Sequence, residues 1–262
     1  VEVTTAAPSP ESRSGAQSVE RALAVLRVIE QAEDGLGVSE IAQRRGLTVS
    51  TAHRLARVLC DAGFVTQDFR TDRYHLGPAL VVLGRRAEAR LGYGLALPTL
   101  EALAESTGES VNLGILAASE VLVVLDVPSS QPLRFDQVPG SRVAAHTSAM
   151  GKCLLAFSGR VDAAVRSLPE LHAATPRTIT DREALQQELL RVRARGWALN
   201  DEERTRGVRA VAVPVLDEGG LAIAAVAVQG PTMRLPDARL DELAEEIVVA
   251  AAAVAPLLAG RA

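Results

Sequence analysis

The sequence predicts an α+β chain in two parts. Three observations carry that expectation. Apolar residues recur at helical spacing through the first quarter of the chain and end in an alternating segment on either side of the charged turn 68–72. A second, longer part mixes helical and strand patterns. Near its end, two apolar runs, 208–216 and 221–229, flank Asp217-Glu218-Gly219-Gly220, a loop suited to positive φ angles. With 262 residues, 48% apolar and 23% charged, the chain can bury a substantial core.

The elements follow in order. Residues 1–17 are polar and predict a disordered tail. Val19, Leu23, Leu26, Val28 and Ile29 form the apolar stripe of a first helix, with Ser18 as its expected N-cap. Val38, Ile41 and Ala42 mark a short second helix that stops at Gly46. Thr48 caps a third helix that runs to about Ala62, before Gly63. Phe64–Gln67 and Arg73–Leu76 then form a hairpin. Pro78 opens a linker helix, 78–93, in which Leu80, Leu83 and Leu91 can pack while Arg85 and Arg86 stay outside. From residue 94 the pattern gives a helix over 95–106, strands over 110–116 and 121–127, and a third strand near 133–138. Next come a helix from about Ser148, helices near 161–168 and 182–195, the final hairpin, and a terminal helix over 236–258. The last two strands are apolar at nearly every position, which predicts a sheet covered on both faces.

Three helices with a tight second turn, followed by a hairpin, are the plan of a winged helix-turn-helix over 18–77. On the third helix Ala52, Leu55, Ala56 and Leu59 share one face. Ser50, Arg54, Arg57 and Asp61 lie opposite, flanked by Thr51 and His53. Hydroxyls and guanidiniums near a helix N-terminus suit the major groove of double-stranded DNA. The predicted DNA-contacting set is Ser39, Thr48, Ser50, Thr51, His53, Arg54 and Arg57, with Arg70 and Arg73 on the wing. Residues 38–76 carry six basic and four acidic side chains, a small positive excess in a chain of net charge −4.

Other chemistry is poorly supported. Aromatics are 3% of the chain, too few for base stacking along a single strand. Two cysteines, Cys60 and Cys153, exclude a disulfide scaffold, a Cys-rich zinc site and an iron–sulfur cluster. The longest apolar run, 247–259, contains Pro256 and is shorter than the roughly twenty residues of a membrane span. With no secretion signal in 1–17, the expected location is the cytoplasm. Gly151-Lys152 fails as a phosphate loop, because His146 and Cys153 occupy positions that need Gly and Ser or Thr. Asn200-Asp201-Glu202-Glu203 offers paired carboxylates. The four histidines are scattered, however, and no GxSxG elbow occurs. Glu202 and Glu203 are therefore expected to be solvated or paired with Arg204, Arg206 or Arg209. No cofactor and no metal are expected. The alternatives to a DNA-binding regulator are a small-molecule enzyme with an accessory helical domain, or a ligand-binding protein whose helices contact only protein.

Four stretches carry a resemblance to a known family: residues 18–77, then TGESVNLGIL, HTSAMGKCLLA and RGWALNDEERTRGVRAVAVPVLDEGGLAIAAVAVQGP. In order and spacing the chain resembles IclR-family transcription regulators over residues 18–258. The resemblance implies a GAF-like effector domain over 94–262, with an antiparallel sheet around a small-molecule pocket. It implies dimers on a pseudo-palindromic operator, pairing further into tetramers. The pocket positions it implies are Ala149, Met150, Asn200, Val208, Ala210, Ala227 and Gln229, with Pro132 closing one side. Ala210 and Ala227 stand where several family members have Ser or Cys, and Asn200 stands where the residue is often acidic. The pocket should therefore be roomier, more apolar and less acidic. The expected effector is an organic acid with an apolar or aromatic body. Its carboxylate would lie near the amides of 149–150, and its polar end near Asn200 or Gln229. A repressor is expected ahead of an activator.

Overall fold

A computed structural model describes residues 10–258, and the chain divides into two compact units at 87/88. In the first unit, α1 spans Pro10–Glu30, α2 Val38–Arg45 and α3 Val49–Asp61. α1 begins eight residues before the expected Ser18 cap, so part of the expected tail is helical. Residues 15–17 of that extension are exposed. Once the buried turns around Val25 and Ile29 are nucleated, adding residues costs little. The remainder of the expected tail, residues 1–9, lies outside the described residues.

Gly46 ends α2 at φ +61°, the left-handed conformation that permits the sharp turn, and its amide bonds back to Ala42 and Gln43. Thr48 caps α3 by accepting from the Thr51 amide at 3.3 Å. The core of this unit joins Val25, Ile29, Leu36, Ile41, Ala52, Leu55, Ala56, Leu59, Val65 and Tyr74. The hairpin β1 (Val65–Gln67) and β2 (Tyr74–Leu76) is antiparallel, with Thr66 opposite His75. Leu36 and Tyr74 exchange backbone hydrogen bonds at 3.1 and 2.8 Å, tying the wing to the α1–α2 loop. The linker helix α4, Ala79–Leu91, contains the division between the units and has no buried residue.

In the second unit, α5 (Leu97–Thr107) leads into β3 (Ser110–Ala117) and β4 (Glu120–Val127). Then come β5 (Arg142–Ala144), α6 (Ala149–Ala156), α7 (Val161–Ser167) and α8 (Arg182–Arg195). β6 (Ala198–Asp201), β7 (Val208–Leu216), β8 (Ala222–Pro231) and α9 (Asp237–Leu258) complete the unit. The six strands form one antiparallel sheet in the order β5-β4-β3-β8-β7-β6. Both faces are covered, as the apolar strands require. Ala210, Ala212, Ala225 and Ala227 face α6, α7 and α8, whereas Val211, Val213, Val226 and Val228 face α5 and α9. Small residues on one face admit the close approach of α6, all of whose residues are buried.

The expected third strand at 133–138 does not form. That segment is part of the loop between β4 and β5, and β4 pairs instead with β5. Pro132 and Pro139 bracket the segment and donate no amide, and its polar groups bond to side chains rather than to a ladder. Among the described residues no helix is long and apolar enough to cross a membrane.

Candidate nucleic-acid interface and ligand cleft

The first unit presents the expected surface. Ala52, Leu55, Ala56 and Leu59 are buried, while Ser50, His53, Arg54 and Arg57 are exposed and Thr51 half-buried. Leu47 packs against the core at the α2–α3 junction, the plug that the turn requires. The α3 N-terminus carries three linked hydroxyls. Thr48 Oγ1 lies 2.8 Å from Thr51 Oγ1 and 3.2 Å from Ser50 Oγ. Thr48 is thus the helix cap as well as an exposed polar residue. Ser39 is exposed on α2.

The wing divides its two arginines between different tasks. Arg70 is exposed at the tip, where its amide bonds to Asp68 Oδ1 at 2.8 Å. Arg73 turns inward: its guanidinium donates to the carbonyls of Asp34 and Gly35 and pairs with Glu40 at 3.0 Å. The Gly37 amide, with Arg73 beside it, holds the Glu40 carboxyl below the usual carboxylate range. Arg73 thus has intramolecular partners as well as an exposed edge. It clamps the wing to the α1–α2 loop, because three acceptors lie within its reach. Phe69, 94% exposed between Asp68 and Arg70, was not anticipated.

The second unit has a cleft of about 110 Å³ where the N-terminus of α6 meets β6, β7 and β8. Ala149, Met150, Asn200, Val208, Ala210, Ala227 and Gln229 all line it, so seven of the eight expected pocket positions converge. Pro132 does not. It is exposed, and the loop turns Phe135, Asp136 and Gln137 toward the cleft instead. Gln229 fixes that loop by donating to the Phe135 carbonyl at 3.0 Å and accepting from Gln137 Nε2 at 2.7 Å. Asp136 makes the wall less free of acid than expected, although it pairs with Arg134 at 3.0 Å. Ser148 caps α6 by accepting from the Gly151 amide at 2.9 Å. Gly151 is obligatory here, since a Cβ would sit 2.1 Å from the Ala145 carbonyl oxygen.

The carboxylates that follow Asn200 are each engaged, although Glu203 Oε2 is buried without a partner of its own. Asp201 pairs with Arg209 at 2.6 Å and with Arg177 at 2.5 Å. Glu202 accepts from the Gly207 amide at 2.7 Å and lies 3.6 Å from Arg177. Glu203 is buried and pairs at 2.5 Å with Lys152, which is 1% exposed. This corrects the expectation of a solvated Glu203 or a pairing with a nearby arginine. Lys152 comes from α6, 51 positions away, a partner that local spacing does not reveal. Arg204, on the wall of the cleft, is left with no hydrogen-bond or ion-pair partner among the described residues, and burial lowers its pKa. The Cys153 thiol, fully buried on α6, is pushed up to about 12 by desolvation and donates to the Ala212 carbonyl. Among the described residues no cluster of His, Cys, Asp or Glu is arranged to hold a metal.

Two family models match these units. The IclR helix-turn-helix domain covers residues 18–68, and the bacterial transcriptional regulator IclR C-terminal domain covers 93–255. The chain is 39% identical to the HTH-type transcriptional regulator BhcR of Paracoccus denitrificans, over 92% of this chain and 87% of that protein. It is 31% identical to the acetate operon repressor of Salmonella typhimurium, over 90% and 87% of the two chains. A solved IclR homolog from Microbacterium hydrocarbonoxydans, complexed with 4-hydroxybenzoate, shares the fold. Its TM-score is 0.77 at 24% identity, over 92% of this chain and 98% of that one.

Proposed function

The chain belongs to the IclR family of bacterial transcriptional regulators and is a DNA-binding regulator rather than an enzyme; from that premise we propose that a small organic acid in the α6–β8 cleft sets its affinity for an operator. The observation that carries the DNA half is α3, whose four core residues are buried while Arg54 and Arg57 face outward. Ser50, Thr51, His53, Arg54 and Arg57 enter the major groove, with Arg70 reaching backbone phosphate from the wing. Ser39 and Thr48 supply flanking hydroxyls.

One such unit spans half a site, so two copies occupy a pseudo-palindrome. The dimer contact is α4. Val81, Val82 and Leu83 are 59, 56 and 51% exposed on a helix with nothing buried, a surface that a second copy would cover. Pairing of dimers through the ligand-binding units gives the tetramer. The protein works in the cytoplasm as a repressor, the role that the name of the Salmonella relative records for that protein. The ligand acts by binding the DNA-competent and DNA-incompetent arrangements unequally. A coupling of about 1–3 kcal/mol changes operator affinity some 5- to 150-fold.

For the ligand, the cleft's own composition supports the acid. Met150, Val208, Ala210 and Ala227 supply apolar wall, and Ala149 and Met150, also on the wall, belong to the first turn of α6, whose amides have no partner within the helix. That a protein of the same fold is complexed with 4-hydroxybenzoate shows only that the fold has room for such a molecule. The test is a gel shift on DNA upstream of the gene and of its neighbours, with and without a panel of aromatic and aliphatic acids. A sequence-dependent shift that one or more acids change supports the proposal. Failure to retard any of these fragments would refute the DNA half, and indifference to every acid would refute the ligand half.

A further inference from the structure

We propose that Phe69 is a wedge: from the tip of the wing it enters the minor groove of the operator, parts one base step and kinks the duplex. A bent duplex goes beyond the operator reading above, which stands without it.

The ring is displayed rather than stored. Phe69 is 94% exposed, whereas Phe64, Phe135 and Phe157 are half-buried. A phenyl ring left in water contributes nothing to the fold and gains from any apolar surface that meets it. The turn that carries it has a fixed shape. The Asp68 amide bonds to the Arg73 carbonyl at 2.9 Å, and the Asp72 amide returns to the Asp68 carbonyl at 2.8 Å. Asp68 Oδ1 accepts from the Arg70 amide at 2.8 Å, and Asp72 holds φ +56°. Below the turn, the Leu36–Tyr74 bridge and the Arg73 clamp tie the wing to the body of the unit. The ring is therefore presented on a preorganised tip, and little ordering cost remains when it binds.

Charge and position narrow the partner. Over the turn, Asp68 and Asp72 balance Arg70 and Arg73, so the tip as a whole has little attraction for a phosphate backbone. Its distinctive group is apolar. The unit that carries it is the DNA-binding one, and β1 begins at Val65, just after α3 ends at Asp61. With α3 in the major groove, a projection beside it reaches the adjacent minor groove. The apolar surface a duplex holds there is the faces of its stacked bases, which become accessible when a side chain such as Phe unstacks a step and bends the helix. Steps of pyrimidine followed by purine open most readily. Phe69 thus selects such a step by its deformability, without a hydrogen bond to any base, while Arg70 meets a flanking phosphate.

The test uses the full chain and a duplex that it selects from a random pool. In circularly permuted fragments wild type should bend the DNA by roughly 20–90°. 2-Aminopurine placed in turn at each adenine of the site should brighten at one step on each half-site. Phe69→Ala should abolish both signals and weaken binding roughly 5- to 150-fold, the range for loss of a stacked aromatic. Phe69→Leu should keep part of each signal. Arg70→Ala should keep the bend while flattening the salt dependence. Moving the brightened step into a stiff A-tract should weaken wild type and leave Phe69→Ala indifferent. So exposed a side chain can be replaced without loss of fold, and the melting midpoints of the variants should match wild type. An unchanged bend and unchanged brightening in Phe69→Ala would overturn the wedge even if affinity fell, because the ring would then rest on a groove wall or on another copy of the chain. If no duplex is selected, the DNA-binding reading falls and the wedge with it.

Discussion

Replacing Glu203 by Gln should destabilise the ligand-binding unit by about 3–5 kcal/mol, the usual cost of stranding one member of a buried ion pair. The geometry is that of a buried pair. Lys152 is 1% exposed, and its Nζ lies 2.5 Å from Glu203 Oε1. With Gln in place, the amide can still accept a hydrogen bond, but the ammonium on α6 has no counter-charge. At roughly 2–4 °C per kcal/mol for a domain of this size, the melting midpoint should fall by about 6–20 °C. Trp197 is the single tryptophan of the chain, with the Arg195 guanidinium 4.4 Å above its ring, so urea titrations followed by its fluorescence report on this unit alone. The double variant Lys152→Met, Glu203→Gln removes both charges and should be more stable than Glu203→Gln by itself. A loss below about 1 kcal/mol for Glu203→Gln, or a double variant equal to the sum of the single ones, would refute the claim that this pair is desolvated and coupled.

The other expectations concern the DNA surface and a buried thiol. Arg54→Ala should cost about 1–3 kcal/mol of operator binding and relax preference at one base position, measured by gel shifts on single-base variants; a uniform loss would move Arg54 to the backbone. Arg70→Ala should flatten the slope of log K against log salt by about one unit. Arg73→Ala should leave that slope unchanged and instead lower the stability of the winged unit by roughly 1 kcal/mol, since its partners are Gly35 and Glu40 and the pair is partly exposed. For Cys153, the folded pKa of about 12 lies above the unfolded value near 9.0, so the unfolded state loses its proton first as pH rises. Stability from the neutral thiol is complete below pH 9 and declines toward pH 12. By pH 10 wild type should have lost on the order of 1.4 kcal/mol more than Cys153→Ala in urea titrations, and identical pH profiles would count against a buried thiol.

Much of this molecule is legible in the order of its residues. The α3 stripe Ala52, Leu55, Ala56, Leu59 needs only the helical period, and Gly46 announces its turn by allowing φ +61°. The cleft positions came with the resemblance, and seven of them meet. What local patterns hid depends on distant partners. Residues 133–138 alternate like a strand, but flanking prolines and the Gln229 side chain decide their course. Arg73 resembles a wing-tip arginine until Gly35, 38 positions earlier, takes its guanidinium. Glu203 and Arg204 look like neighbours that would neutralise each other, yet Lys152 claims one and leaves the other facing the cleft.

The absolute closure of packing around α6 has an evolutionary consequence. Gly151 cannot gain even a methyl group against Ala145, and Gly114 would press a Cβ to 2.6 Å from Val121 and 2.9 Å from the Met150 sulfur. Substitution on that helix is therefore penalised whatever the ligand, and the floor of the cleft is frozen. The 128–141 loop is mostly exposed, and apart from Ser129, which is buried against Gly108 and Ser110, and the Gly140-Ser141 pair bonded to Val123, its positions have more room to vary. Descendants of this chain that acquire a taste for new compounds should carry their changes at the exposed positions of that loop, and a library randomised there, with Ser129 and Gly140 kept, should yield altered ligand responses without loss of folding.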